Sequence, residues 1–529
     1  MKANPILLEV FKNRFAAVSE EMGVTLIRTA FSPNIKERRD LSCAVFSARG
    51  DMIAQAAHIP VHLGSMPLSV KSAIEAAPMG PGDMAALNDP FKGGTHLPDI
   101  TLVAPVFCGQ GTKPAFYVAN RAHHADVGGM SAGSMPLSSS IFQEGVIIPP
   151  LLLVRAGEAD ESLMRLILSQ SRTPEERRGD FAAQIMANMT GVKRLVELAG
   201  KYGEETLSFY GEQLINYAEI LARAAIREIP DGTYAFEDVL DGDGQGAENI
   251  PIRLTLAVDG EEAILDFRES GDQVRGCLNA VRSITVSACL YVFRALMTGD
   301  APANAGILAP LRILTRPGSI LDARFPAAVA GGNVETSQRV ADVVLGALAK
   351  ALPGRVPAAS QGTMNNLAMG GLDPRTGRPF AYYETLAGGM GASLGQAGES
   401  AVHSHMTNTL NTPVEALEYA CPFRVRAYGL RRGSGGEGRF PGGNGLVREI
   451  ELLGDCEATV LSERRTSRPY GLAGGLPGAA GRNLLTRDGE TTVMPGKFQA
   501  DLRAGDVLRV ETPGGGGYGA PDSPGESGD

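Results

Sequence analysis

The chain has 529 residues, 43% hydrophobic and 20% charged, with a formal net charge of −10. That balance supports a sizeable buried core and excludes global disorder. An acidic chain whose basic runs (36–39, 431–432, 464–468) are short and interrupted is a poor nucleic-acid binder, and none is expected as a partner.

Asn4-Pro5 sets an N-cap residue before a proline at the first helical position. Leu7, Val10, Phe11, Phe15, Val18 and Met22 follow at helical spacing, so a helix is predicted to about Thr29. Lys2, Glu9, Lys12 and Arg14 break the apolar pattern there, which is not that of a signal peptide. No run of about 18 apolar residues predicts a transmembrane helix. Leu41, Cys43, Val45 and Phe46 read as a strand and Arg49-Gly50-Asp51 as a turn. Residues 64–76 read as a helix, and 84–88 and 100–108 as strands. A hairpin loop at 108–113 leads to a further strand at 114–120.

Residues 174–226 carry long helical patterns, for example 181–198 and 205–228; short alternating runs occupy 232–267, and helices are predicted at 281–296 and 337–352. Beyond residue 422 short apolar runs sit among glycines and read as β structure. The expected fold class is mixed α+β in three parts, 1–230 with the metal-binding motifs, 231–421 mixed, and 422–520 Gly-rich and β. A disordered tail is expected at 521–529. The 66 glycines are about 12% of the chain against a usual ~7%; they predict tight turns and loops that pass close to one another or to a ligand. Cys43, Cys108, Cys277, Cys289, Cys421 and Cys456 form no CxxC pair. Reduced, buried thiols in a cytoplasm are expected.

The seven histidines fall in three places. His96 and Asp99 form H-x-x-D in a glycine-rich loop before one predicted strand. His123, His124 and Asp126 follow its return partner. The open ends of a hairpin lie side by side, so these imidazoles and carboxylates can share a cation. Mixed N and O ligands suit zinc, manganese or iron and do not choose among them; a hydrogen-bonded polar loop is the alternative. His58 and His62 have i,i+4 spacing, but Pro60 makes the stretch a poor helix, which points equally to a structural or substrate-contacting role. His403 and His405 would share a face on a strand. Two pattern matches are discounted. Ser131 sits in G-x-S-x-G without the helix a nucleophile elbow requires. Gly433, Gly435 and Gly438 fit G-x-G-x-x-G, but an apparent strand follows instead of a helix. No G-x-x-x-x-G-K-[ST] is present.

Longer strings carry a resemblance. KERRDLSC (36–43), NDPFKGGTHLPD (88–99), NRAHHADVGGMSAGS (120–134), GGNVETSQRVAD (331–342), YETLAGGMGA (383–392), HMTNTLNTPVEALE (405–418) and the ending TPGGGGYG occur in order. Over roughly residues 4–520 the sequence is similar to the hydantoinase B/5-oxoprolinase family. The resemblance implies the metal-binding B-type part of an ATP-dependent cyclic-amide hydrolase, with a divalent metal, manganese or zinc, on Asp40, His96, Asp99 and His123. It implies His124 or Asp126 as an orienting or proton-relaying group. ATP is expected on a separate hydantoinase A-type ATPase subunit in a hetero-oligomer, and the substrate is expected to be a small cyclic amide. A ketone carboxylase subunit related to the acetone and acetophenone enzymes is the alternative within enzymes. A scaffold for the A-type partner and a serine hydrolase built on Ser131 are the readings outside that chemistry.

Overall fold

The computed structural model describes residues 3–56, 58–109, 111–297 and 299–521. The predicted tail lies outside these residues apart from Pro521. Helix α1 (Pro5–Thr29) starts where predicted: the Asn4 side chain accepts from the Ile6 and Leu7 N–H groups, and proline occupies the first turn. After the short α2 (Pro33–Lys36) come strands β1 (Leu41–Ser47) and β2 (Met52–Gln55), helix α3 (Met66–Ala76), and strands β3 (Met84–Leu87), β4 (Asp99–Val106), β5 (Phe116–His123), β6 (Leu151–Arg155) and β7 (Glu158–Ala159). They form a seven-stranded antiparallel sheet in the order β2-β1-β5-β4-β3-β6-β7.

Both faces of this sheet are covered, so β4 and β5 are buried along their whole lengths. Alternate residues serve different cores. Cys43, Val45 and Val118 join α1 and the helices that follow the sheet, whereas Ala44, Phe46 and Ala119 join the central core. Those helices are α4 (Glu161–Leu168), α5 (Pro174–Tyr202) and α6 (Glu204–Arg227). Strand β5 runs three residues beyond the predicted end at 120. Arg121 and His123 look like loop residues in the sequence, yet both are buried. The Arg121 guanidinium is accommodated by the hydroxyls of Thr101, Ser65 and Ser69 at 2.6–2.8 Å, so the ladder continues to His123.

The second sheet comprises β8 (Gly232–Gly242), β9 (Glu248–Asp259), β10 (Glu262–Asp266) and β11 (Leu311–Leu314), in the order β11-β10-β9-β8. Helices α7 (Arg282–Leu296) and α8 (Ser337–Ala351) pack together, and α8 lies on β8 and β9. The rest contains β12 (Asn366–Asp373), β13 (Arg378–Glu384), α9 (Val414–Ala420), β14 (Phe423–Arg431), β15 (Gly445–Leu452), β16 (Cys456–Leu461), β17 (Arg482–Arg487), β18 (Glu490–Met494), β19 (Lys497–Leu502) and β20 (Val507–Glu511). Two sheets result, β13-β12-β16-β19 and β14-β15-β20-β17-β18. Leu367, Met369, Phe380, Phe423, Ile450 and Phe498 fill one apolar cluster that both contribute to. The first of these sheets joins strands from before and after residue 422, so no sheet boundary falls at the expected division there.

The glycine-rich C-terminal loops stack directly on one another. A Cβ on Gly515 would stand 2.0 Å from Met390 O, and one on Gly442 2.0 Å from Gly515 O. Among the described residues no helix is long and apolar enough to cross a membrane.

Candidate metal centre

Strands β4 and β5 pair in register with Asp99 opposite His123. That puts an acidic and an imidazole side chain on adjacent strand ends. Before β4, Gly93 has φ +92°, and a Cβ there would lie 2.6 Å from the Leu68 backbone, so only glycine lets the loop pass. Asn88 fixes the loop: its Nδ2 donates to Leu97 O and Val146 O, and its Oδ1 accepts from Ile148 N. His96 then turns back onto Asp99, whose N–H donates to His96 O at 3.1 Å.

His96 Nε2 and His123 Nδ1 each stand 3.4 Å from Asp99 Oδ1. Ligand atoms of His96, Asp99 and His123 all lie within 4.8 Å of one another, and all three residues are buried. Among the described residues Asp99 Oδ1 and His123 Nε2 make no hydrogen bond. Leaving buried polar atoms without partners is costly, and an N,O,N donor set with an unpartnered carboxylate oxygen fits a divalent cation. Burial raises the Asp99 pKa, but the neighbouring His96, His62 and His123 outweigh it and hold the carboxyl well below the usual range. Burial opposes charge on His96 too, yet Asp99 lifts its pKa on balance, whereas burial lowers that of His123.

Asp40 reaches the same place from the start of β1: the His123 N–H donates to Asp40 O at 3.1 Å. Its side chain lines a cavity of about 20 Å³ together with Asp99, His123 and His62. It stands outside the three-residue cluster.

His124 and Asp126 are not brought to the cavity. His124 projects from the other side of the strand end, where its Nε2 is 2.9 Å from Gln184 Oε1 and its ring leans on Phe181. Burial, reinforced by Arg177, pushes its pKa down to about 4. Asp126 anchors a loop: it accepts from Gly128 N and Arg172 N and pairs with the Arg172 guanidinium at 3.1 Å.

Four other residues complete the surroundings. His62 Nε2 is 3.3 Å from Asp99 Oδ2 and its Nδ1 is 2.8 Å from Ser42 Oγ. It arrives on a 3₁₀ turn, Pro60–His62, so helical i,i+4 reasoning could not place it. Asn333 Nδ2 lies 3.0 Å from His96 Nε2 and 3.3 Å from Asp99 Oδ2. Tyr383 stacks on His123 with centroids 4.5 Å apart and planes at 11°. Glu144 acts one step back. Its Oε1 accepts from Ser138 Oγ, Val329 N and Ala330 N, and the Ala330 carbonyl accepts from His96 Nδ1 at 3.2 Å. That bond directs His96 Nε2 toward Asp99. Asn333 and Tyr383 fall within the quoted family strings, but asparagine and tyrosine carry no ligand-spacing rule, and Glu144 stands outside those strings.

The remaining candidates lie apart. His403 and His405 are in a loop, not a strand, and His405 has φ +54°. Its Nδ1 faces Tyr291 OH at 3.4 Å and its Nε2 faces Asp342 at 3.4 Å. His58 Nδ1 accepts from Cys43 N. Ser131 Oγ is buried without a partner among the described residues, so no histidine activates it there. The glycine pattern at 433–438 lies between strands β14 and β15, with no helix after it.

Residues 4–521 match the family described as Hydantoinase B/oxoprolinase. The chain is 41% identical over 531 residues to a 5-oxoprolinase of Dictyostelium discoideum, covering 98% of this chain and 41% of that protein. It is 30% identical to the putative B-type subunit of a D-/L-hydantoinase from a Pseudomonas species, covering 98% and 90% of the two chains. It thus spans about two fifths of the 5-oxoprolinase and nearly all of the hydantoinase chain. Among solved structures, it superposes on an ATP-dependent caprolactamase from Pseudomonas jessenii with a TM-score of 0.91 and 27% identity, covering 98% of this chain and 92% of that one. It shares its fold with a nucleotide-free acetone carboxylase at a TM-score of 0.90 and 19% identity, covering 98% and 76%.

Proposed function

We propose that this chain, which belongs to the Hydantoinase B/oxoprolinase family, is the metal-binding catalytic subunit of an ATP-dependent cyclic-amide hydrolase. The observation that carries the reading is the buried His96–Asp99–His123 cluster with an unpartnered carboxylate oxygen. Its relatives are named as a 5-oxoprolinase, a hydantoinase and a caprolactamase. Asp99, His96 and His123 would hold the ion, with Asp40 as a fourth group. Bound there, manganese or zinc supplies Lewis-acid polarisation of a ring amide carbonyl, which resonance otherwise makes a poor electrophile.

The protein's own groups orient and isolate that chemistry. Ala330, steadied by Glu144, holds His96 in one tautomer; Asn333 and His62 brace Asp99 and His96; Tyr383 covers the His123 ring. Burial of His96, Asp99 and His123 lowers the local dielectric, which strengthens each charge interaction at the cluster. His124 and Asp126 act through the strand end and loop they anchor. ATP is assigned to an A-type partner chain: this chain has no Walker motif, and the similar hydantoinase chain is named as one component of a multi-chain enzyme.

The test uses the chain with its A-type partner, manganese or zinc, ATP and a panel of small lactams and hydantoins. ADP release coupled to ring opening and abolished by chelation is expected. Turnover that instead requires bicarbonate and a ketone would assign the complex to the carboxylases, and activity that survives loss of the metal would refute the metal-centred reading.

A further inference from the structure

The cavity at the cluster, about 20 Å³, holds little more than one water. A ring substrate needs more room. A second cavity of about 130 Å³ shares Tyr383 with it as a lining residue. Asn34 also lines the second cavity, and its Nδ2 donates to the His123 carbonyl at 3.2 Å. The two spaces therefore have Tyr383 in common, and Asn34 ties the second one to the His123 backbone.

Its size and lining describe a ligand. A cavity of roughly 150 Å³ accepts benzene, which has as many heavy atoms as a five-membered lactam. Phe380, Leu417 and Ala420 give an apolar wall. Thr173 Oγ1 and Thr412 Oγ1 are buried at this cavity and make no hydrogen bond among the described residues. Glu176 adds a carboxylate acceptor, paired on one oxygen with Arg177. Hydroxyl donors and a carboxylate acceptor beside an apolar wall complement the C=O and N–H edges of a ring amide with methylene flanks.

We propose that this cavity takes up the small neutral cyclic amide before its carbonyl reaches the metal cluster, with Tyr383 common to the two cavities. The proposal rests on the cyclic-amide reading above.

The test is ligand-observed saturation-transfer NMR with 2-pyrrolidinone on the full metal-loaded chain. Binding is expected in the parent. Ala420 is exposed at the cavity mouth, so Ala420→Trp fills the site without disturbing the core, and binding should weaken at least about tenfold. Thr173→Val combined with Thr412→Val removes two donors, and about tenfold weaker binding is expected. His123→Ala should lose metal yet still bind the lactam. No signal in the parent, or undiminished binding in Ala420→Trp, overturns the assignment. The two readings fail differently. If the cyclic-amide reading is wrong, no lactam is opened by the complex even where pyrrolidinone binds. If only the pocket is wrong, Ala420→Trp retains the parent's KM for ring opening.

Discussion

Glu144 offers a test of how the cluster is held. Its carboxyl is fully buried, and burial, opposed by its bonds from Ser138, Ala330 and Val329, pushes its pKa up from 4.5 to about 7. A carboxyl whose folded pKa lies above its unfolded value favours the fold while protonated. That contribution is complete below about pH 4.5 and is lost as pH rises through about 7. The shift corresponds to roughly 3 kcal/mol. Glu144→Gln keeps an oxygen for the three donors and cannot ionise. Because Glu144 Oε2 has no hydrogen-bond partner among the described residues, the protonated acid and the amide leave the same kind of donor unpaired. The two proteins should therefore be nearly equal in stability at pH 4. At pH 8 the variant should be the more stable by roughly 2–4 kcal/mol. Urea-unfolding midpoints of the chelated protein at the two pH values measure this, with chelation removing the separate pH dependence of metal binding. A difference between parent and variant that does not change with pH would refute the assignment of a buried, upshifted Glu144.

Asp99→Asn should lower metal affinity by at least ~100-fold, since even groups that only orient ligands typically cost 10–100-fold; metal content by mass spectrometry after desalting reads it, and full retention would remove Asp99 from the ligand set. His124→Ala should leave metal content unchanged while costing about 1–3 kcal/mol through the unpaired Gln184, measured by urea unfolding; loss of metal would return His124 to the centre. Arg464 is buried between Asp238 and Asp342, 2.6 and 2.9 Å away, so Arg464→Met should cost about 3–5 kcal/mol by stranding two buried carboxylates, and a neutral effect in thermal unfolding would contradict that pairing.

Much of the fold follows from local pattern. The cap and proline at Asn4-Pro5 place α1, and helical spacing places α6, α7 and α8 to within one residue and marks the middle of the longer α5. The hairpin argument for Asp99 and His123 also holds, because adjacent antiparallel strands bring their ends together whatever surrounds them. His403 and His405 show the limit: an i,i+2 pair shares a face only on a strand, and the chain there is a loop with a left-handed residue.

By itself, then, the sequence determined the family, the mixed α+β class and the convergence of His96, Asp99 and His123, all of which rest on local chemistry or on long matching strings. Tertiary structure alone decided on which side of the sheet each neighbour falls. Successive residues of an extended chain point to opposite faces, so His123 joins the cluster and His124 packs on α5, although the two look equivalent in the string AHHAD. It also decided that His62, Asn333 and Tyr383 stand around Asp99 and His123. These residues come from a 3₁₀ turn, from the turn before α8 and from β13, and their meeting depends on how a sheet, a helix and a sandwich pack together, which no spacing along the chain encodes.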